Sequence, residues 1–180
     1  MFTQQKKLLS APKAETGLSV ISVPDIRWTR RDIKAVGLLG PVLGKQAATE
    51  AGADDAWFVE EGVVTEGSSN NAYIVTQDGA IQTRQLGCEI LSGITRQAVL
   101  QLAEACQLQV IEKPFSIEEA QNAREAFITS ASLFVMPVVS IDGQDVADGK
   151  PGELTRKLRE LYIEIARQSG SFDNVEAAQT

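Results

Sequence analysis

Residues 56–83 read AWFVEEGVVTEGSSNNAYIVTQDGAIQT, and this stretch decides the fold class. Ala56 to Glu60, Asn71 to Thr76 and Ala80 to Thr83 are short strand-like runs, with turn signals at Glu61-Gly62 and Asp78-Gly79. Between the first two lies Val64-Thr65-Glu66-Gly67-Ser68-Ser69-Asn70, which reads as a polar loop. Strand following strand with no helix between them argues against a regular βαβ alternation. The expected architecture is α/β in the α+β-like sense: one mixed, largely antiparallel sheet with packed helices.

Working outward, Gly17 to Val23 is β-branched and ends at Pro24, a strand running into a turn. A helix is expected after Lys34, with Val36, Leu39, Val42, Leu43 and Ala47 at helical spacing up to Ala51 and Gly40-Pro41 at its start or at a kink. Downstream of the opening stretch, Gln97 to Cys106 predicts a helix with Val99, Leu100, Ala103 and Cys106 on one face. Leu108 to Lys113 reads as a strand, and Ser116-Ile117-Glu118-Glu119 has capping-box spacing for a short helix to Asn122. Ala126 to Thr129 and Phe134 to Ile141 return to strand, with a turn at Asp142-Gly143. A last amphipathic helix carries Leu154, Leu158, Leu161 and Ile165 to about Gln168.

The 180 residues are 43% hydrophobic, enough for one cored domain. Seventeen basic against 24 acidic residues give a net charge of −7, which argues against nucleic acid as a partner. With no histidine, Ser-His-Asp and Cys-His catalysis are excluded, so proton transfer falls to Lys, a carboxylate, Tyr or Cys. Cys88 and Cys106 make neither a disulfide framework nor a four-thiolate zinc site; no metal is expected, and a reducing, cytoplasmic setting suits them. No stretch approaches the roughly 20 apolar residues of a membrane span, so no membrane partner is expected.

Three features carry possible chemistry. Lys34, between a strand and a helix pattern, is either a solvated surface charge or an amine that attacks carbonyls. Glu66, ahead of Ser68, Ser69 and Asn70, either belongs to an ordinary turn or faces a cationic ligand. Gly93-Ile94-Thr95-Arg96 opens a helix whose free N–H groups and dipole suit a phosphate, and Ser130-Ala131-Ser132 is a second possible nest of donors. An amine, a carboxylate and a phosphate seat are together the groups that pyridoxal phosphate needs.

At five ordered motifs the chain resembles the class IV (fold type IV) pyridoxal-phosphate-dependent aminotransferases, and within them the D-amino-acid aminotransferases. The motifs are Pro24 to Trp28, Arg31 to Lys34, Thr65 to Asn71, Ile90 to Arg96, and Pro137 to Gly152 with Ile141-Asp142-Gly143 inside it. The resemblance implies a cofactor, pyridoxal 5′-phosphate, and exchange of an amino group between a D-alanine-like D-amino acid and a 2-oxo acid. It implies that Lys34 holds the cofactor covalently and shuttles the proton, and that Glu66 pairs with the pyridine nitrogen. Ile94 and Thr95, with Ser130 and Ala131, would hold the phosphate. Leu91 would pack on the ring, Arg27 would lie near the phenolic oxygen, and Ser68 and Ser69 would shape the substrate pocket. A homodimer is also implied.

The resemblance further implies a smaller domain at the amino-terminal end of the family's chains. Residues 1–16 are read as its last strand and linker, 17–170 as the cofactor-binding domain and 171–180 as a frayed tail. Two alternatives accompany this reading: a branched-chain aminotransferase or aminodeoxychorismate lyase of the same family, and a non-catalytic truncated domain.

Overall fold

The computed structural model describes residues 9–168. The strand expected in Met1–Lys7 and the tail at 171–180 lie outside the described residues. Of the expected linker, one helical turn, α1 (Lys13–Thr16), leads through Gly17 into β1 (Leu18–Pro24). The chain continues as α2 (Leu39–Glu50), β2 (Asp55–Glu60), β3 (Val63–Gly67), β4 (Asn71–Val75) and β5 (Ile81–Thr83). Then come α3 (Ile94–Ala105), β6 (Val110–Glu112), α4 (Ile117–Gln121), β7 (Glu125–Ser130), β8 (Phe134–Ile141), β9 (Gln144–Asp145) and α5 (Glu153–Gln168).

Among the described residues the strands form a single mixed sheet in the order β3-β2-β1-β8-β7-β4-β5-β6, with β9 paired to β8. β1 runs parallel to β2 and β8, and β5 parallel to β6; the other neighbours are antiparallel. The sheet curls, because the Val64 N–H on β3 donates to the Phe115 carbonyl just past β6 at 2.8 Å. The turn from β2 to β3 places Glu61 at φ 52° and Gly62 at φ 80°, the left-handed pair that suits the twist of a tight hairpin.

β4 shows why its apolar run is unbroken. Ala72 and Ile74 enter one core with Trp57, Phe115, Ile128 and Met136, while Tyr73 and Val75 enter a second with Val99, Phe127, Val135 and Leu158. Successive side chains alternate faces, so both faces of the central strands are covered. Burying each large side chain contributes about 1.5–3 kcal/mol. Tyr73 and Phe127 stack with ring centroids 4.5 Å apart, and the Tyr73 hydroxyl lies 3.0 Å from that of Thr129. The capping box at Ser116 forms as expected, with Glu119 N–H donating to the Ser116 hydroxyl and Ser116 N–H to the Glu119 carboxylate.

Four expectations are corrected. Residues 63–67 are a strand rather than the start of a loop, since Val63 and Val64 pair with Glu60 and Val59. α2 buries Gly44 and Ala48 instead of its larger apolar residues: a Cβ on Gly44 would stand 2.7 Å from the Phe58 ring. Its smallest residues therefore seat it on β2, and Val36, Leu39, Val42 and Leu43 face outward. In α5 the packed stripe is Leu154, Leu158 and Tyr162, while Ile165 is half exposed. Cys106 follows the last turn of α3 and is exposed instead of joining Val99 and Ala103.

α5 begins on a carboxylate from the sheet. Glu125, 5% exposed, accepts from Leu154 N–H, Thr155 N–H and the Thr155 hydroxyl at 2.9, 2.8 and 2.7 Å. Gly152 leaves room for it, since any Cβ there would collide with the Glu125 side chain. Glu125→Ala strips this helix end of its acceptor and is expected to cost about 2–3 kcal/mol. Denaturant unfolding measures the loss, and a midpoint unchanged from wild type would contradict it.

Candidate active site

Glu66 lies near the end of β3, 6% exposed. In the ladder with β2, Val59 faces Val64 and Trp57 faces Gly67, so two steps on β2 meet three on β3. This bulge opposes Phe58 with both Thr65 and Glu66, and the two side chains reach the same partner instead of pointing to opposite faces. That partner is Arg27, whose Nη1 donates to Glu66 Oε1 at 2.5 Å and whose Nη2 donates to Thr65 Oγ1 at 3.2 Å.

Arg27 is fixed from the far side by Asp25, whose side chain is fully buried. Asp25 Oδ1 accepts from Arg27 N–H and Nε at 3.2 and 2.9 Å, and Oδ2 accepts from Arg27 Nη2 and Thr65 Oγ1, each at 2.7 Å. The guanidinium lies 4.5 Å from the centre of the Phe58 ring. A Cβ on Gly40 would stand 2.8 Å from Arg27 Cγ, so glycine lets the first turn of α2 rest on the arginine stem. Arg31 extends the cluster, pairing with Glu60 at 2.6 Å and lying 3.4 Å from Asp25 Oδ2. The group holds the guanidiniums of Arg27 and Arg31 against the carboxylates of Asp25, Glu60 and Glu66, leaving one surplus negative charge.

Burial, with a smaller push from the nearby Asp25 charge, moves the Glu66 carboxyl above the usual carboxylate range, against the pull of Arg27 and the Leu91 N–H. For Asp25 burial acts in the same direction, but hydrogen bonds from Arg27 and Thr65 outweigh it and hold the carboxyl low. The surplus charge therefore resides least comfortably at Glu66, which makes that carboxylate the natural counterpart of an incoming cation.

The second oxygen of Glu66 faces the loop before α3. Oε2 accepts from Leu91 N–H at 3.0 Å and from Asn71 Nδ2 at 3.1 Å, while the same Asn71 amide donates to the Leu91 carbonyl at 2.9 Å. Asn71 Oδ1 occupies the space a Cβ on Gly93 would need. Asn71 also faces Thr129 in the β4–β7 ladder, so the turn after Ser130 lies beside it. One amide side chain thus joins the carboxylate to the start of α3, while its backbone pairs with β7 next to the β7–β8 turn.

At the start of α3, Gly93 offers no side chain to the first turn, and Thr95 Oγ1 is buried without a hydrogen-bond partner among the described residues. Ile94 is 74% exposed. In the β7–β8 turn, Ser130 Oγ accepts from Leu133 N–H at 3.1 Å, Ala131 is exposed, and Arg159 from α5 donates to the Leu133 and Val135 carbonyls.

Of the residues expected at a site, Arg27, Glu66 and Leu91 meet directly, and Asn71 links Glu66 to the loop that leads to Thr95 and pairs in register with Thr129, the residue before Ser130. Lys34 is exposed on the segment between β1 and α2, which is anchored at Arg31 by its N–H to the Cys88 carbonyl at 2.8 Å. Ser68 is buried with its hydroxyl on Asp55 Oδ1 at 2.5 Å, so it braces the β3–β4 turn, whereas Ser69 is exposed. Asn70 Nδ2 meets Asp55 Oδ2 at 2.8 Å. Sequence reasoning gave no role to Asp25, Asn71 or Asp55. The first two stood inside quoted motifs, but only the fold brings them to Glu66.

The family of amino-transferase class IV matches residues 1–141. A D-alanine aminotransferase of Bacillus licheniformis is 46% identical over 145 residues, covering 81% of this chain and 51% of the relative. One from Staphylococcus haemolyticus is 43% identical over 153 residues, covering 83% and 54%. The chain thus spans about half the length of the curated relatives it matches. Among solved structures, the branched-chain amino acid aminotransferase of T.th. with pyridoxamine 5′-phosphate superposes with a TM-score of 0.83 at 29% identity, covering 89% of this chain and 54% of that one. The branched-chain aminotransferase of Thermoproteus uzoniensis with norvaline gives 0.78 at 31%, covering 85% and 52%.

Proposed function

This chain belongs to the class IV aminotransferases, and from that premise we propose that it binds pyridoxal 5′-phosphate and serves the transfer of an amino group between a D-amino acid and a 2-oxo acid. The observation that carries the reading is the junction at Asn71, where a buried carboxylate with surplus charge and a helix start with an unpartnered hydroxyl share one side chain. Those groups fit the cofactor: a basic ring nitrogen matches Glu66, and a phosphate matches Thr95 Oγ1 with the free N–H groups of Ile94 and Thr95. Backbone donors at Ser130 and Ala131 add to the phosphate seat, and the loss of a side-chain hydroxyl at 131 leaves those donors in place. Arg27, which donates to Glu66, would lie near the cofactor's phenolic oxygen.

Bound there, the cofactor supplies an electron-poor ring that stabilises negative charge developing at the substrate Cα. Lys34 provides the amine that holds the cofactor carbon and then moves the proton at the substrate Cα. Glu66 keeps positive charge at the ring nitrogen. Leu91 fixes the ring face and, through its N–H, the carboxylate. Ser69, exposed beside the braced turn, takes the substrate side, and Ser68 acts through Asp55 in holding that turn. Identity of 46% to a D-alanine aminotransferase, against 29% to a branched-chain enzyme, favours the D-amino acid over branched-chain substrates.

The test is an assay of the full protein with D-alanine and 2-oxoglutarate beside L-valine and 2-oxoglutarate. Turnover of D-alanine in excess supports the reading; turnover of L-valine alone overturns its substrate. We also propose residues 17–170 as the cofactor-binding domain, a homodimer, and a cytoplasmic protein. Support for the dimer comes from Val36, Leu38, Leu39 and Val42, apolar side chains that are 57–98% exposed. Sedimentation giving only monomer would count against it. No helix among the described residues is long and apolar enough to cross a membrane.

A further inference from the structure

We propose that Asp25 is a positioning residue, which holds Arg27 to a single contact on Glu66 Oε1 and so leaves that carboxylate able to meet a cationic ring nitrogen. The inference rests on the cofactor reading above and extends it to a residue that touches neither cofactor nor substrate.

The geometry is a division of donors. Asp25 takes the backbone N–H, Nε and Nη2 of Arg27, leaving Nη1 alone for Glu66. The Phe58 ring and Thr65 hold the guanidinium in that attitude, and Thr65 itself donates to Asp25. An arginine without this clamp would be free to turn its fork onto Glu66, the one carboxylate still beside it, and press a second N–H onto Oε1, since Oε2 is already met by Leu91 and Asn71. The open side of Glu66 Oε1 would then be taken by its neighbour. With Asp25 in place, the charge of Arg27 is already met, and the surplus negative charge of the cluster remains for a ligand. Arg31, which also approaches Asp25, is itself paired with Glu60 and offers no acceptor to Arg27.

The test compares two ligands on the full chain: pyridoxal phosphate, and its deaza analogue with CH in place of the ring nitrogen. Affinity for each is measured by titration for wild type and Asp25→Asn. Wild type is expected to favour pyridoxal phosphate, and Asp25→Asn to reduce that preference about tenfold while leaving affinity for the analogue nearly unchanged. A merely structural role would weaken both ligands alike and overturns the inference, as does a preference equal to wild type. Where Asp25→Asn fails to fold, Thr65→Val removes one donor from Asp25 and keeps every charge. It is expected to lower the preference about threefold, and no change there also overturns the inference. A wild type that shows no preference between the ligands is a separate failure, that of Glu66 as the partner of the ring nitrogen.

Discussion

Lys34→Ala is expected to abolish transamination, a loss on the order of 10⁴-fold or more, because one amine serves both as covalent anchor and as proton carrier. The neighbouring structure localises the effect. Arg31 is tied to Glu60 and to the Cys88 carbonyl, so the segment stays in place whatever follows it. Lys34 is exposed and makes no hydrogen bond or ion pair among the described residues, so removing it should change stability by no more than about 0.5 kcal/mol. Borohydride reduction of wild type with pyridoxal phosphate should leave the cofactor's mass on the peptide containing Lys34, and none in the variant. Lys34→Arg keeps a cation but cannot supply a free amine, and should be equally inactive. Activity in either variant, or labelling at another lysine, would remove Lys34 from its role.

Glu66→Gln carries the second large effect. Turnover should fall roughly 10²–10³-fold, the range for losing one preorganised electrostatic partner of the reacting group. Part of the loss reaches the phosphate seat, since a glutamine cannot accept on both sides: its NH₂ would face the Leu91 N–H and Asn71 amide, or else Arg27. The pH dependence separates this carboxylate from its neighbour. Glu66 has its folded pKa raised above the ordinary value of 4.5, so the folded state binds the proton more tightly and stability rises as pH falls through that raised value towards 4.5. Asp25 has its folded pKa lowered from 3.8; its contribution is present above 3.8 and is lost as pH falls through the depressed value. Thermal melts of the unloaded chain across mildly acidic pH should show the first gain in wild type and not in Glu66→Gln. Parallel curves for the two proteins would contradict the assignment.

The strands β4, β7 and β8 and the capping box at Ser116 were legible because each is a local pattern with a local cause. The outward apolar face of α2 was not, because periodicity tells which residues share a side and not which side the sheet meets. There the deciding residue is Gly44, whose missing side chain admits the Phe58 ring. Lys34, Glu66 and the start of α3 stood out as residue types, and the resemblance ordered them. Asp25 and Asn71 became meaningful only when strand register placed the first against Thr65, 40 positions on, and the second against Glu66, 5 positions back. Reading 64–70 as a polar loop followed composition, whereas Thr65, Glu66, Ser68 and Asn70 are buried there because Asp25, Arg27 and Asp55 meet them.

The extra residue in β3 has an evolutionary corollary. The direction in which the acid at position 66 points is set by how many residues separate Val64 from Gly67, independently of which amino acids they are. Drift by substitution can therefore retune this region gradually. Loss of a single codon there would restore an even ladder and swing the acid away from Arg27 in one step.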